Sequence, residues 1–170
     1  MKKKQIGYIA KASIIAALYV VLTMVSAIFG LSSGMIQVRI SEALSFLPFL
    51  TPAAIPGLTI GCLISNTLAG GVPLDIVFGS IATLLGALAA SLMGRFLANS
   101  RFNIIFMILS TIPTVISNML IVPWVLKFAY GAGEAIPFMM LTVGIGEFIA
   151  CTVIGTLVIL SLRNKFNLIK

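Results

Sequence analysis

Histidine is absent from this 170-residue chain. That removes imidazole general bases, His-ligated zinc and a proximal-His haem. Cysteine is nearly absent. Cys62 and Cys151 are too few for a four-thiolate cluster or a disulfide framework, and each sits in an apolar run that suits a small packing residue. Charge is scarce too. Only 9% of the residues are charged and 60% are hydrophobic, whereas a soluble domain carries about 25% charged residues. A chain this apolar cannot cover itself with polar surface, so its solvent is lipid. No GxxxxGK[ST] sequence occurs, which excludes ATP hydrolysis by a P-loop. Catalytic histidine and paired catalytic aspartates are both missing, so the chain is not expected to be an enzyme, and no cofactor or metal is expected.

What is present is a series of long apolar runs. A spanning helix takes about 20 such residues, so 170 residues allow roughly five to seven spans and leave nothing for a soluble domain. The expectation is a single transmembrane domain over 1–170. The basic start, Met1-Lys-Lys-Lys4, resembles a signal-peptide n-region, but the apolar run after it is too long and no A-x-A cleavage site with the right setting follows. It reads as a retained first helix. Pro48, Pro52, Pro56 and Pro73 forbid one unbroken helix through the long uncharged stretch after Glu42. Turns fall at Gly30-Leu-Ser-Ser-Gly34, Gly70-Gly-Val-Pro73 and Tyr130-Gly-Ala-Gly133. Six spans result, over 8–29, 36–50, 53–69, 74–97, 102–126 and 135–162.

Charge placement favours that number. The net charge is +7. With both termini cytoplasmic, six spans place Lys2, Lys3, Lys4, Lys11, Arg95, Arg101, Arg163, Lys165 and Lys170 inside, and only Arg39 and Lys127 outside. Five spans would export the tail. The basic residues are therefore read as topology and lipid contact, with no nucleic acid as partner. The fold class is an all-α integral membrane protein.

Lipid gives helices no hydrophobic reason to associate, so small residues must let their backbones approach. Such faces occur at Ala12/Ala16 and Ser13/Ala17, at Gly57/Gly61/Ser65, at Gly86/Ala90/Gly94, and at Gly144/Cys151/Gly155, where Glu147 shares the stripe. Packing within the chain is the reading for the last three. The first-span face could serve either packing or a partner protein.

A charge in a bilayer costs at least about 2.5–3.5 kcal/mol, so it usually faces the bundle interior and has a function. Glu147 falls near mid-membrane, flanked by Gly144 and Gly146, which are expected to leave space beside its carboxylate. It either bonds a neighbouring helix or contacts a ligand or ion, and we take the second. Arg39 and Glu42, at i, i+3, share a helix face and form either an ion pair or the polar wall of an outward pocket. Asp75 suits a helix N-terminus. Asn66 and Asn118 suit amide contacts between helices. Trp124 and Tyr130 suit an aromatic belt at the outer surface. Arg39, Glu42, Asp75 and Glu134 all fall in the outer half, above Glu147. This asymmetry points to capture of a small polar or cationic solute from outside.

The stretch Ile36-Gln-Val-Arg-Ile-Ser-Glu-Ala-Leu44, continuing through Pro48-Phe-Leu-Thr-Pro-Ala-Ala-Ile-Pro-Gly57, resembles the QueT family. So do Gly61-Cys-Leu-Ile-Ser-Asn66, Pro73-Leu-Asp-Ile-Val-Phe-Gly-Ser80 and Val143-Gly-Ile-Gly-Glu147. The resemblance covers roughly residues 8 to 160 and is most specific from Arg39 to Gly57. It implies an S component of an energy-coupling factor (ECF) transporter: a six-helix bundle in the bacterial plasma membrane. Its implied ligand is a queuosine precursor, a deazaguanine base with a cyano or aminomethyl group. Its implied partners are a transmembrane coupling protein (the T component) and two ATPase subunits, and after docking the whole S component is expected to topple in the membrane. Ala12 and Ala16 match the first-helix face by which this class docks.

The implied roles follow from the ligand's chemistry. A deazaguanine offers N1–H and an exocyclic NH2 side by side, which one carboxylate accepts in a fork; Glu147 is assigned to it. Glu42 or Asp75 would meet a cationic aminomethyl group. Arg39, Gln37, Asn66 or Asn118 would donate to O6. Trp124 or Tyr130 would stack on the ring. The alternative is a small stand-alone secondary transporter, possibly homodimeric, that uses Glu147 as a proton or ion site.

Overall fold

The structure, a computed structural model, describes residues 2–31, 36–97 and 103–163. Ser32 to Gly34 of the first expected turn, and Arg101, Lys165 and Lys170 of the expected basic rim, lie outside the described residues. Six helical stretches follow one another: α1 (Lys2–Ile28), α2 (Ile40–Leu50), α3 (Ala54–Leu68), α4 (Pro73–Leu97), α5 (Asn103–Ala129) and α6 (Ile136–Leu162). No strand occurs among the described residues. By length and composition α1, α4, α5 and α6 can each cross a bilayer, whereas α2 and α3 are shorter. The described residues are all-helical, and their long apolar helices suit a membrane protein.

Its burial pattern inverts that of a water-soluble protein. Large apolar side chains such as Ile14, Val77, Leu92, Phe96 and Leu157 are exposed along the outside. The interior is rich in Ala16, Ser26, Ser41, Ala82, Ala90, Thr114 and Ala150. Small and weakly polar residues are what let helices approach when the surroundings are themselves apolar.

The glycines mark the closest approaches. Gly57 and Gly61 of α3 lie against the Ala12 and Ala16 carbonyls of α1. Gly86 of α4 faces Thr114 of α5, and Gly94 faces the Phe49 carbonyl of α2. Gly155 of α6 packs over Ala43. The expected packing faces of spans three, four and six thus lie inside the bundle. The Ala12/Ala16 face meets α3 in part: Ala16 is buried against it and Ala12 is half-buried, while Ser13 and Ala17 are exposed. Gly144 and Gly146 do not leave the space expected beside Glu147. Met119 fills the first position and the Gln37 backbone the second.

Gly94→Ala tests this packing away from any candidate site. The new methyl would meet the Phe49 carbonyl, which belongs to backbone and cannot rotate away. Overpacking of this kind costs about 1–3 kcal/mol. We expect a lower melting temperature in detergent, with ligand affinity unchanged in the protein that remains folded.

Three irregularities have local causes. α2 begins at Ile40 rather than at 36, because Arg39 is extended (φ −97°, ψ 110°), and its first turns, Ile40–Phe46, are 3-10 helix. α5 is interrupted at Ser110 and Thr111, just before Pro113, whose ring cannot donate a hydrogen bond and would clash with the preceding turn. α6 widens to π-helix over Phe148–Ile154 and is regular again from Gly155.

Candidate functional site

Five segments converge at one end of the bundle. The extended residues before α2 bring Gln37 and Arg39, the last turns of α3 bring Asn66, and the first turn of α4 brings Asp75. The last turns of α5 contribute Val122 and Leu126, followed by Tyr130. The turn from α3 to α4 is tight because Gly70 takes φ +75°, a left-handed conformation that a side chain would strain. That turn sets Asp75 near Asn66. Gly79 then leaves room for Asn66, whose amide nitrogen would stand 3.0 Å from an added Cβ.

These residues line a cavity of about 530 Å³, with Thr23 and Ala27 of α1 on its wall. Arg39 Nη1 donates to Asn66 Oδ1 at 3.1 Å. The Asn66 amide in turn reaches the Cys62 sulfur at 3.6 Å. Tyr130 donates to Asp75 Oδ2 at 2.9 Å and receives the Val72 N–H at 3.4 Å. Partial burial raises the Tyr130 phenol above its ordinary pKa; the Val72 N–H opposes this and the Asp75 carboxylate adds to it. The phenol therefore stays a donor at neutral pH.

Below the cavity the space narrows to a void of about 10 Å³, room for about one water. Gln37, Arg39, Asp75 and Val122 line both spaces, and Glu42, Thr83, Asn118, Val143 and Glu147 line the lower one. Glu42 accepts a hydrogen bond from Tyr19 of α1. Glu147 Oε2 accepts one from the Cys151 thiol at 3.4 Å. The Asn118 amide nitrogen faces the Glu147 carboxylate without reaching bonding geometry. Glu42, Glu147 and Cys151 each bring one ligand atom, all within 4.8 Å of one another, so these are the residues that could hold a metal ion. Two carboxylates this close repel when both are ionised. The floor therefore holds a proton shared between them, or is set for a cation or for hydrogen-bond donors placed there.

Eight of the nine expected ligand residues meet here: Glu147, Glu42, Arg39, Asp75, Asn66, Asn118, Gln37 and Tyr130. Trp124 does not. It is exposed, stacks on Phe128 with ring centroids 6.0 Å apart, and lines an outward apolar groove with Leu74 and Phe78. Helical period explains this. Val122 and Leu126 face the cavity four residues apart, and Trp124, halfway between them in sequence, points the other way. Arg39 and Glu42 form no ion pair, because Arg39 turns to Asn66 and Glu42 to Tyr19. Glu134 is exposed, away from the floor. Tyr19, Thr23, Thr83 and Cys151 complete the site although the sequence did not single them out for it. For Tyr19 and Thr23 a signal existed, since positions 12, 16, 19, 23 and 26 form one small or polar stripe on α1.

A family model described as QueT transporter matches residues 9–164. The chain is also similar to the queuosine precursor transporter QueT of Lactococcus lactis subsp. cremoris (strain MG1363), at 33% identity over 175 residues, covering 99% of this chain and 99% of that protein. No solved structure matches.

Proposed function

Because the chain belongs to the QueT transporter family, we propose that it is the S component of an ECF importer that captures a queuosine precursor. In this reading its six helices form one transmembrane domain in the bacterial plasma membrane, with both termini cytoplasmic. The observation that carries it is the layered site: a cavity with Arg39, Asn66 and Asp75 on its wall above a floor holding two carboxylates.

The roles follow the chemistry of a deazaguanine. Glu147 accepts N1–H and the exocyclic NH2 in a fork. Glu42 or Asp75 meets an aminomethyl cation. Arg39, Gln37, Asn66 or Asn118 donates to O6, and Tyr130 offers a ring for stacking. Trp124 faces away from the cavity and is left to the bilayer. The chain performs no reaction: ligand fills the cavity, and a T component with two ATPases then drives release. Docking runs along α1. Ala12 and Ala16 are the docking positions in this reading, with the exposed small residues Ser13 and Ala17 beside them on the side of α1 that α3 leaves open.

Uptake of a labelled deazaguanine base in cells with and without the coupling module tests this. Uptake should disappear when the module is deleted. Uptake that persists would instead support the stand-alone secondary transporter.

A further inference from the structure

α1 meets the start of α2 through one stripe of side chains. Tyr19 donates to Glu42, Thr23 donates to the Ser41 hydroxyl at 2.8 Å, and Ser26 accepts the Ile40 N–H at 2.8 Å. All of these side chains are buried, Tyr19 at 1% exposure and Glu42 at 3%. The Tyr19 ring is held among Leu44, Leu58, Cys62 and Ala87. Gly61 makes that seat available, since an added Cβ would lie 2.8 Å from the Tyr19 Cβ. The hydroxyl is thus fixed by packing that does not involve the cavity.

We propose that Tyr19 is the positioning residue for Glu42: its hydroxyl holds one carboxylate oxygen, so that the other is presented at the floor beside Glu147. This rests on the transport reading above. A glutamate has three side-chain torsions to order, and a buried carboxylate beside a second one tends to turn away from it. A donor on a rigid, close-packed ring opposes both tendencies before the ligand arrives. Preorganisation of this kind is read in affinity.

The test uses purified full-length protein and calorimetric titration with 7-aminomethyl-7-deazaguanine. Tyr19→Phe keeps the ring and removes the hydroxyl. We expect affinity to fall about tenfold, the size of one charge-assisted hydrogen bond. Ser26→Ala removes another hydrogen bond between α1 and α2 without touching Glu42, and should bind within about twofold of wild type. In a Glu42→Gln background, Tyr19→Phe should cause no further loss, because the two changes act through one group. If Glu42→Gln binds too weakly to titrate, the Ser26→Ala comparison decides. Wild-type affinity in Tyr19→Phe overturns the proposal, as does an equal loss in Ser26→Ala or a Tyr19→Phe protein that fails to fold, because each makes the hydroxyl a stitch between helices and nothing more. Wild-type protein that binds no deazaguanine overturns the transport reading itself, a different result from wild-type binding that Tyr19→Phe leaves unchanged.

Discussion

Glu147→Gln should weaken binding of a deazaguanine base by roughly 100-fold. The glutamine keeps the size of the side chain and one acceptor oxygen. It replaces the second acceptor with an NH2, which would meet a ligand N–H donor to donor. Hydrogen bonds to charged groups contribute about 1.5–3 kcal/mol, and truncating one leaves the partner unsatisfied in a buried place. The Asn118 amide beside the carboxylate offers another donor and no compensation. Calorimetric titration of wild type and variant gives the ratio directly. An unchanged affinity would remove Glu147 from the ligand and leave Glu42 as the candidate for the forked contact.

Gly146→Ala should do more damage to the protein as a whole. The added methyl would land on the Gln37 carbonyl oxygen and 3.0 Å from its carbon. That backbone cannot swing aside alone, because it leads into Val38, whose N–H bonds Leu31, and into Arg39. The whole segment must lift from α6. The strain is about 1–3 kcal/mol by analogy with overpacked cores, and the lift carries Gln37 and Arg39 off the cavity wall. We expect a lower melting temperature together with loss of ligand binding. Gly94→Ala, by contrast, should lower only the first. A Gly146→Ala protein with wild-type stability would mean that this segment and α6 are not in contact.

Much of this was legible in the sequence, and the reason is the solvent. In lipid a charge must be explained, so the few polar residues within apolar runs drew notice one by one. Glu147, Glu42, Arg39, Asp75, Asn66 and Asn118 do meet at one place. Proline and glycine located the turns before α3, α4 and α6, whereas the break in α5 before Pro113 falls inside what reads in sequence as one span. What was not legible depended on who meets whom. Tyr19 looked like part of an apolar helix until α2 brought Glu42 to it. Gly144 and Gly146 announced close approach, but only the fold says that Met119 and Gln37 do the approaching. The α1 face is open to two readings in sequence, and only the fold shows that the Ala12 and Ala16 carbonyls lie against Gly57 and Gly61 of α3. Trp124 shows the opposite failing. Helical period turns it away from Val122 and Leu126, but that these two line the cavity is known only from the fold.

The interruption of α5 and the π segment of α6 meet one another, through the hydroxyls of Thr111 and Thr152 at 2.9 Å. Each departs from the regular α-helical ladder: α5 loses its regular turn at Ser110 and Thr111, and α6 bonds over five residues instead of four. Side by side, they form a joint across two neighbouring helices. Glu147 lies immediately before that joint on α6, and Asn118 lies within two turns after it on α5. The floor is therefore set beside irregular backbone on both of these walls.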